Sequence, residues 1–263
     1  MKFIVKQQPA YAYTGGKTLA PSQPSVVFIH GAANDHSVWA LQSRHFAYHG
    51  WNALAVDLPG HGKSFGKACT SIDQYADWVI DLLDHGGLQR AALVGHSMGS
   101  LIALQIAMRH PDRVSHLALL GTSLPMPVGA PLMEAALQRP HEAYDMLTLW
   151  GHAPPSRLGA SPIPGTSLLM AYRCLLEKSR PGVLANDLAA CQAFNLPAAD
   201  LATITIPTLI LNGSRDLMTP AKAATALASR IASSRLVILD DVGHNLMQEA
   251  PVAVLDALKK FLA

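Results

Sequence analysis

The stretch Gly95-His96-Ser97-Met98-Gly99 limits what this chain can fold into more than any other, because of its setting. It follows the apolar run Ala91-Ala92-Leu93-Val94 and opens a helical stretch from Ser100 to His110. That order predicts a strand, a sharp turn carrying a serine, and a helix. Glycine at 95 and 99 removes Cβ atoms that would clash where the strand and helix backbones come close, and the turn strains the serine so that its hydroxyl is lifted into a pocket. A Gly-rich strand-to-helix turn alone can produce the same pattern, so the rest of the chain has to supply the context.

Short aliphatic runs recur with helical segments between them: Val26 to Ile29, Ala53 to Val56, Ala91 to Val94, His116 to Leu120, Thr208 to Leu211 and Leu236 to Leu239. This rhythm predicts an α/β fold with a mostly parallel central sheet flanked by helices. The stretches 37–49, 72–84, 101–110, 221–231 and 252–262 carry apolar residues at three- and four-residue spacing, as helices lying on a sheet require. Lys2 to Thr14 is expected to add an antiparallel edge hairpin. Between Gly121 and Asp200 the strand rhythm stops and Pro, Met and bulky apolar residues take over. The expected organisation is therefore a core of residues 1–121 and 201–263, with 122–200 inserted as a helical cap. Met126, Met146, Trp150 and Met170 are the cap's candidates for lining a substrate pocket, although for each one alone packing in the cap's own core is the preferred reading. Four prolines between Ala153 and Gly165 predict an ordered loop there.

Half of the 263 residues are hydrophobic and 14% are charged, enough apolar surface to cover a sheet on both faces. The 20 basic and 18 acidic side chains are spread without a run of like charge, so neither nucleic acid nor a membrane surface is an expected partner; a small-molecule ligand is. The first residues lack the apolar run of a secretory leader, and no later run is long enough to span a bilayer; the expected location is cytoplasmic. Three scattered cysteines form no metal or disulfide framework, and no cluster of ligands calls for a metal or an organic cofactor.

A serine hydroxyl needs a base to become a nucleophile. Of 12 histidines, His244 is placed to serve: Asp240-Asp241-Val242-Gly243-His244-Asn245 follows the last expected strand and precedes the final helix. That puts it at the carboxyl edge of the sheet, where Ser97 emerges and where open α/β sheets bind ligands. The base needs a carboxylate to orient it. Asp216, in Asn212-Gly213-Ser214-Arg215-Asp216 after the strand 208–211, is the choice, with Asp200 and Asp240 as alternatives and Thr219 as the expected cap of the next helix. Negative charge on a carbonyl oxygen calls for two backbone donors, assigned to the amides of Met98 and Ala32, the latter in His30-Gly31-Ala32-Ala33. His30, Asp57 and His61 read as structural.

Taken in order, His30-Gly31, Asp57-Leu58-Pro59-Gly60-His61-Gly62-Lys63-Ser64, Gly95-His96-Ser97-Met98-Gly99, Asn212-Gly213-Ser214-Arg215-Asp216 and Gly243-His244 resemble the α/β-hydrolase fold, in its cap-bearing group of serine hydrolases. The likeness runs from about residue 25 to the end of the chain, and the cap carries no marker of it. It implies nucleophile Ser97, acid Asp216, base His244 and oxyanion donors Ala32 and Met98. Relatives that dehalogenate alkyl halides or open epoxides place an aspartate at the elbow, so serine there disfavours both reactions. The leading expectation is a serine esterase acting on a small, mainly apolar ester through an acyl-enzyme. Thioester or amide hydrolysis, C-C bond hydrolysis, acyl transfer and perhydrolysis would use the same residues, and a non-turnover ligand sensor is the alternative of another class.

Overall fold

A computed structural model describes residues 1–197 and 199–263. Among them, eight strands form one sheet: β1 (Lys2–Val5), β2 (Gln8–Tyr13), β3 (Ser25–Ile29), β4 (Asn52–Asp57), β5 (Ala91–His96), β6 (Val114–Leu120), β7 (Thr208–Gly213) and β8 (Ser234–Leu239). Their order across the sheet is β1-β2-β4-β3-β5-β6-β7-β8. β1 pairs with β2, and β2 with β4, in antiparallel fashion, as the N-terminal hairpin required; the other pairs are parallel. The fold is the α/β architecture expected from the strand rhythm.

Alternation along the strands decides which side chain meets which helix layer. Val27, Ile29, Leu54, Val56 and Leu93 face one way and pack with the helices Ile72–His85 and Met98–Arg109. Val26, Phe28, Ala53, Ala55, Ala92 and Val94 face the other way, onto Trp39, Phe46 and the C-terminal helix Pro251–Leu262. Both faces are thus covered, which is why these strands read as unbroken apolar runs rather than alternating ones. Ser71 caps the first of these helices by accepting from the Gln74 amide.

Between β6 and β7 the chain turns helical. Helices Ala130–Gln138, Pro140–Trp150, Leu168–Glu177 and Val183–Ala193 bury a separate apolar cluster that includes Leu132, Tyr144, Leu147, Tyr172, Leu176 and Leu188. The end of this insert reaches the main core, where Cys191, Phe194, Leu201 and Ile204 are buried. The Pro-rich stretch expected as a loop opens instead with one helical turn, Pro154–Arg157. Proline costs a helix nothing in its first turn, where its missing N–H would have had no partner.

Candidate active site

The parallel strands bring their carboxyl ends to one edge, and the candidate residues leave the sheet there. Ser97 follows β5 directly, with φ +52°, a left-handed conformation that a side chain other than glycine rarely adopts. Its amide donates to the Leu120 carbonyl at 2.9 Å, and its carbonyl accepts the Ser100 hydroxyl at 2.6 Å. A Cβ at Gly95 would collide with the Gly99 carbonyl, and one at Gly99 with that of Ile29. The tight crossing that holds Ser97 therefore tolerates nothing larger than glycine at either flank.

His244 and Asp216 arrive on the loops after β8 and β7. Nδ1 of His244 lies 2.8 Å from Oδ2 of Asp216, and the histidine is 5% exposed. Asp216 also accepts from the amides of Met218 and Thr219, both at 2.8 Å, and from the Thr219 hydroxyl at 2.7 Å. Burial alone would raise the Asp216 carboxyl, but the His244 ring and these donors outweigh it and hold it below the usual carboxylate range. Thr219 is not the cap of the helix Ala221–Ala228; its hydroxyl is spent on the carboxylate, 3.2 Å from His244 Nδ1, and its carbonyl accepts from Asn212 at 2.7 Å. Pro220, pre-set in φ, starts that helix instead.

Gly121 follows Leu120, whose carbonyl holds the Ser97 amide, and lies against the His244 and His96 rings: a Cβ there would sit 3.2 Å from both. No hydrogen bond joins Ser97 to His244 among the described residues. His96 donates from Nε2 to the His244 carbonyl at 2.8 Å, and its basicity is driven down to about 3 by burial and by the neighbouring His244 ring. His30 lies deeper: its Nδ1 faces the Gly31 carbonyl at 2.8 Å, its Nε2 accepts the Leu58 amide at 3.2 Å, and burial followed by the nearby His61 lowers it to about 4. Both rings are neutral braces of the loops around Ser97.

A cavity of about 210 Å³ opens above Ser97, walled by Ala32, Met126, Val128, Leu132, Trp150, Leu188, Cys191, Leu217, Met218 and Thr219, among others. None of its lining residues is charged. Two of the four expected cap residues, Met126 and Trp150, are in that wall. Met146 packs beside the insert's own apolar cluster, and Met170 is 61% exposed. Leu168, Tyr172 and Leu176 define the inner face of the helix that carries Met170, and a residue two positions from Leu168 or Tyr172 points to the opposite side. Ala32 lines the same cavity as Ser97, while Met98 is fully buried at the first position of its helix, where the amide has no intrahelical partner.

Asp57 and His61 fasten loops. Asp57 accepts from the His36 amide and ring, both at 2.8 Å, and from the Lys63 amide at 2.8 Å. With Asp35 these side chains are the one grouping of metal-ligating type among the described residues, and the Asp57 oxygens are already taken by those donors. Sequence reasoning missed Asp187 and Glu249, which tie the insert to the core. Glu249 accepts from the Gly243 amide at 3.0 Å and from the Ala153 amide and Ser156 hydroxyl, both at 2.8 Å. The helix Val183–Ala193 did carry a signal: Asp187 falls four residues from Val183 and from Cys191, a charge on an otherwise apolar stripe.

The sequence is 27% identical over 239 residues to the (E)-2-((N-methylformamido)methylene)succinate hydrolase of Acinetobacter baylyi, covering 90% of this chain and 89% of that one. It is 28% identical over 250 residues to the pimeloyl-[acyl-carrier protein] methyl ester esterase of Nitrosomonas europaea, covering 89% and 95%. The fold superposes on the enol-lactonase of Burkholderia xenovorans with a TM-score of 0.86 at 24% identity, over 100% of this chain and 99% of the other. The model of the alpha/beta hydrolase family matches residues 26–257, and the chain belongs to that family.

Proposed function

We propose that this protein is a serine esterase that hydrolyses a small, mainly apolar carboxylic ester through an acyl-enzyme. The observation that carries the reading is the 2.8 Å Asp216–His244 pair at the sheet edge where a strained Ser97 opens into an uncharged cavity. With Nδ1 held by Asp216, the Nε2 of His244 is the nitrogen left to take the Ser97 proton. Ser97 Oγ attacks the ester carbonyl, and the charge that forms on the oxygen falls to the amides of Ala32 and Met98. The tetrahedral species collapses as His244 hands its proton to the departing alcohol. Water, deprotonated by the same histidine, then attacks the acyl-enzyme, and the acid leaves with Ser97 restored. One curated relative is named for a methyl ester esterase reaction, which supports ester chemistry here. The lack of charge in the cavity wall favours an uncharged acyl group.

The test is hydrolysis of p-nitrophenyl esters from acetyl to dodecanoyl by the wild type and by Ser97→Ala. Sustained release that peaks at a short or medium chain and disappears in the variant is the expected result. A folded wild type that releases one equivalent and stalls would instead indicate ligand sensing, and one inert toward every ester would redirect attention to C-C bond hydrolysis.

A further inference from the structure

The insert supplies a buried carboxylate that the proposed chemistry does not use. Asp187, on the helix Val183–Ala193, is fully buried, and each of its partners is a donor. Oδ2 accepts from the Ala33 amide at 2.9 Å and from His61 Nε2 at 2.8 Å; Oδ1 accepts from the Tyr75 hydroxyl at 2.7 Å and from Asn186 at 3.4 Å. The other ring nitrogen of His61 lies 2.9 Å from the Pro59 carbonyl, which can only accept. Both ring nitrogens therefore carry protons, and the pair is an imidazolium facing a carboxylate.

The group pinned by this pair lies next to a proposed oxyanion donor. Ala33 has φ +55°, a left-handed backbone in a residue with a Cβ, and the turn closes through the Asn34 amide and the Gly31 carbonyl at 3.2 Å. Within that turn the Ala32 amide has no hydrogen-bond partner among the described residues, and Ala32 shares a cavity wall with Ser97. We propose that Asp187 is a positioning residue: held by His61 and Tyr75, it clamps the Ala33 amide and so aims the Ala32 amide at the oxygen that becomes charged at Ser97. This rests on the serine hydrolase reading above. The same helix presents Leu188 and Cys191 to the cavity, so one element of the insert sets both the acyl wall and the oxyanion donor.

The experiment compares the full chain as wild type, Asp187→Asn and Tyr75→Phe. Active sites are counted with a fluorophosphonate; kcat per counted site and KM are then measured with p-nitrophenyl butyrate. Affinity is measured for an alkyl trifluoromethyl ketone, whose adduct with the serine bears the oxyanion. Asp187→Asn is expected to lower kcat per site roughly 30- to 100-fold with KM within about threefold, the scale of a misplaced oxyanion donor. Ketone affinity should fall by the same factor as kcat. Tyr75→Phe should show the same paired loss at about three- to tenfold, since it loosens the clamp and leaves the ion pair in place; it serves alone if Asp187→Asn does not fold. Wild-type kcat per site and ketone affinity in a folded variant would reduce Asp187 to a packing role and overturn the proposal. A wild type that is neither labelled nor active would fail the esterase reading itself, whereas a labelled and active wild type beside unaffected variants fails the clamp alone.

Discussion

The Asp216 carboxylate and His244 Nδ1 stand 2.8 Å apart although they are 28 positions apart in the chain. Thr219 completes the arrangement with two donors to the same carboxylate, one from its amide and one from its hydroxyl. Replacing Asp216 by Asn keeps the side-chain shape but offers His244 the wrong hydrogen-bonding pattern. We expect Asp216→Asn to lower ester turnover roughly ten-thousand-fold, as loss of the orienting acid does in comparable triads. Far-UV circular dichroism should be unchanged. Near-wild-type kcat in that variant would move the acid's role to Asp240 or Asp200.

Glu249 joins the His244 loop to the insert, with one oxygen on the Gly243 amide and the other on Ala153 and Ser156. Glu249→Ala leaves these donors in a half-buried setting with no acceptor. The expected cost is about 2–3 kcal/mol of stability, the usual range for orphaning such groups. A urea titration gives that number, and kcat should fall as well because Gly243 directly precedes His244.

Leu188 closes one side of the cavity above Ser97 and is 5% exposed. Leu188→Ala removes three carbons from the wall, and the surrounding helix fills the space only in part. The chain length with the best kcat/KM in the p-nitrophenyl ester series should move up by about two to three carbons. An unshifted optimum would mean that the acyl group occupies another part of the cavity.

The buried histidines set the acid response. His30 and His96 are held at about 4 and about 3, below the ordinary histidine value of 6.5. Between those values the unfolded chain binds protons that the folded chain refuses, so stability falls as pH drops from 6.5 toward 3. The depressed carboxyls of Asp187 and Asp216 add to the loss once pH passes below the ordinary carboxylate range. His61 runs the other way: its raised value keeps its contribution full at acid pH and lets it go only as pH rises through that value. Urea midpoints at pH 7, 5.5 and 4 should therefore decline in that order, and His96→Gln should flatten the decline. A midpoint constant over this range would contradict neutral buried rings.

That Ser97, Asp216 and His244 leave the sheet at one edge was legible because each is placed by its immediate neighbours in the chain. A strand ends, a turn begins, and parallel strands deliver all such turns to one edge. Met170 was misassigned because composition names the kind of residue that lines a pocket, while the phase of a helix decides which side it faces, and that phase is set by what the helix packs against. Thr219 looked like a cap for the same reason: its position before a helix was visible in the chain, the competing carboxylate beside it was not.

Local order in the chain was enough to specify the strand and helix pattern, the serine turn and the loops that carry Asp216 and His244, since backbone sterics and apolar periodicity act over a few residues. The joins between distant segments came from folding alone. Asp187 meets His61 across 126 positions and Glu249 meets Ala153 across 96. A buried charge accepts whatever donor the packing brings to it, and neither partner carries a mark in its own sequence. The insert's hold on Ala33 and on the His244 loop is of this kind, and it depends on helices that pack as a unit over the sheet edge.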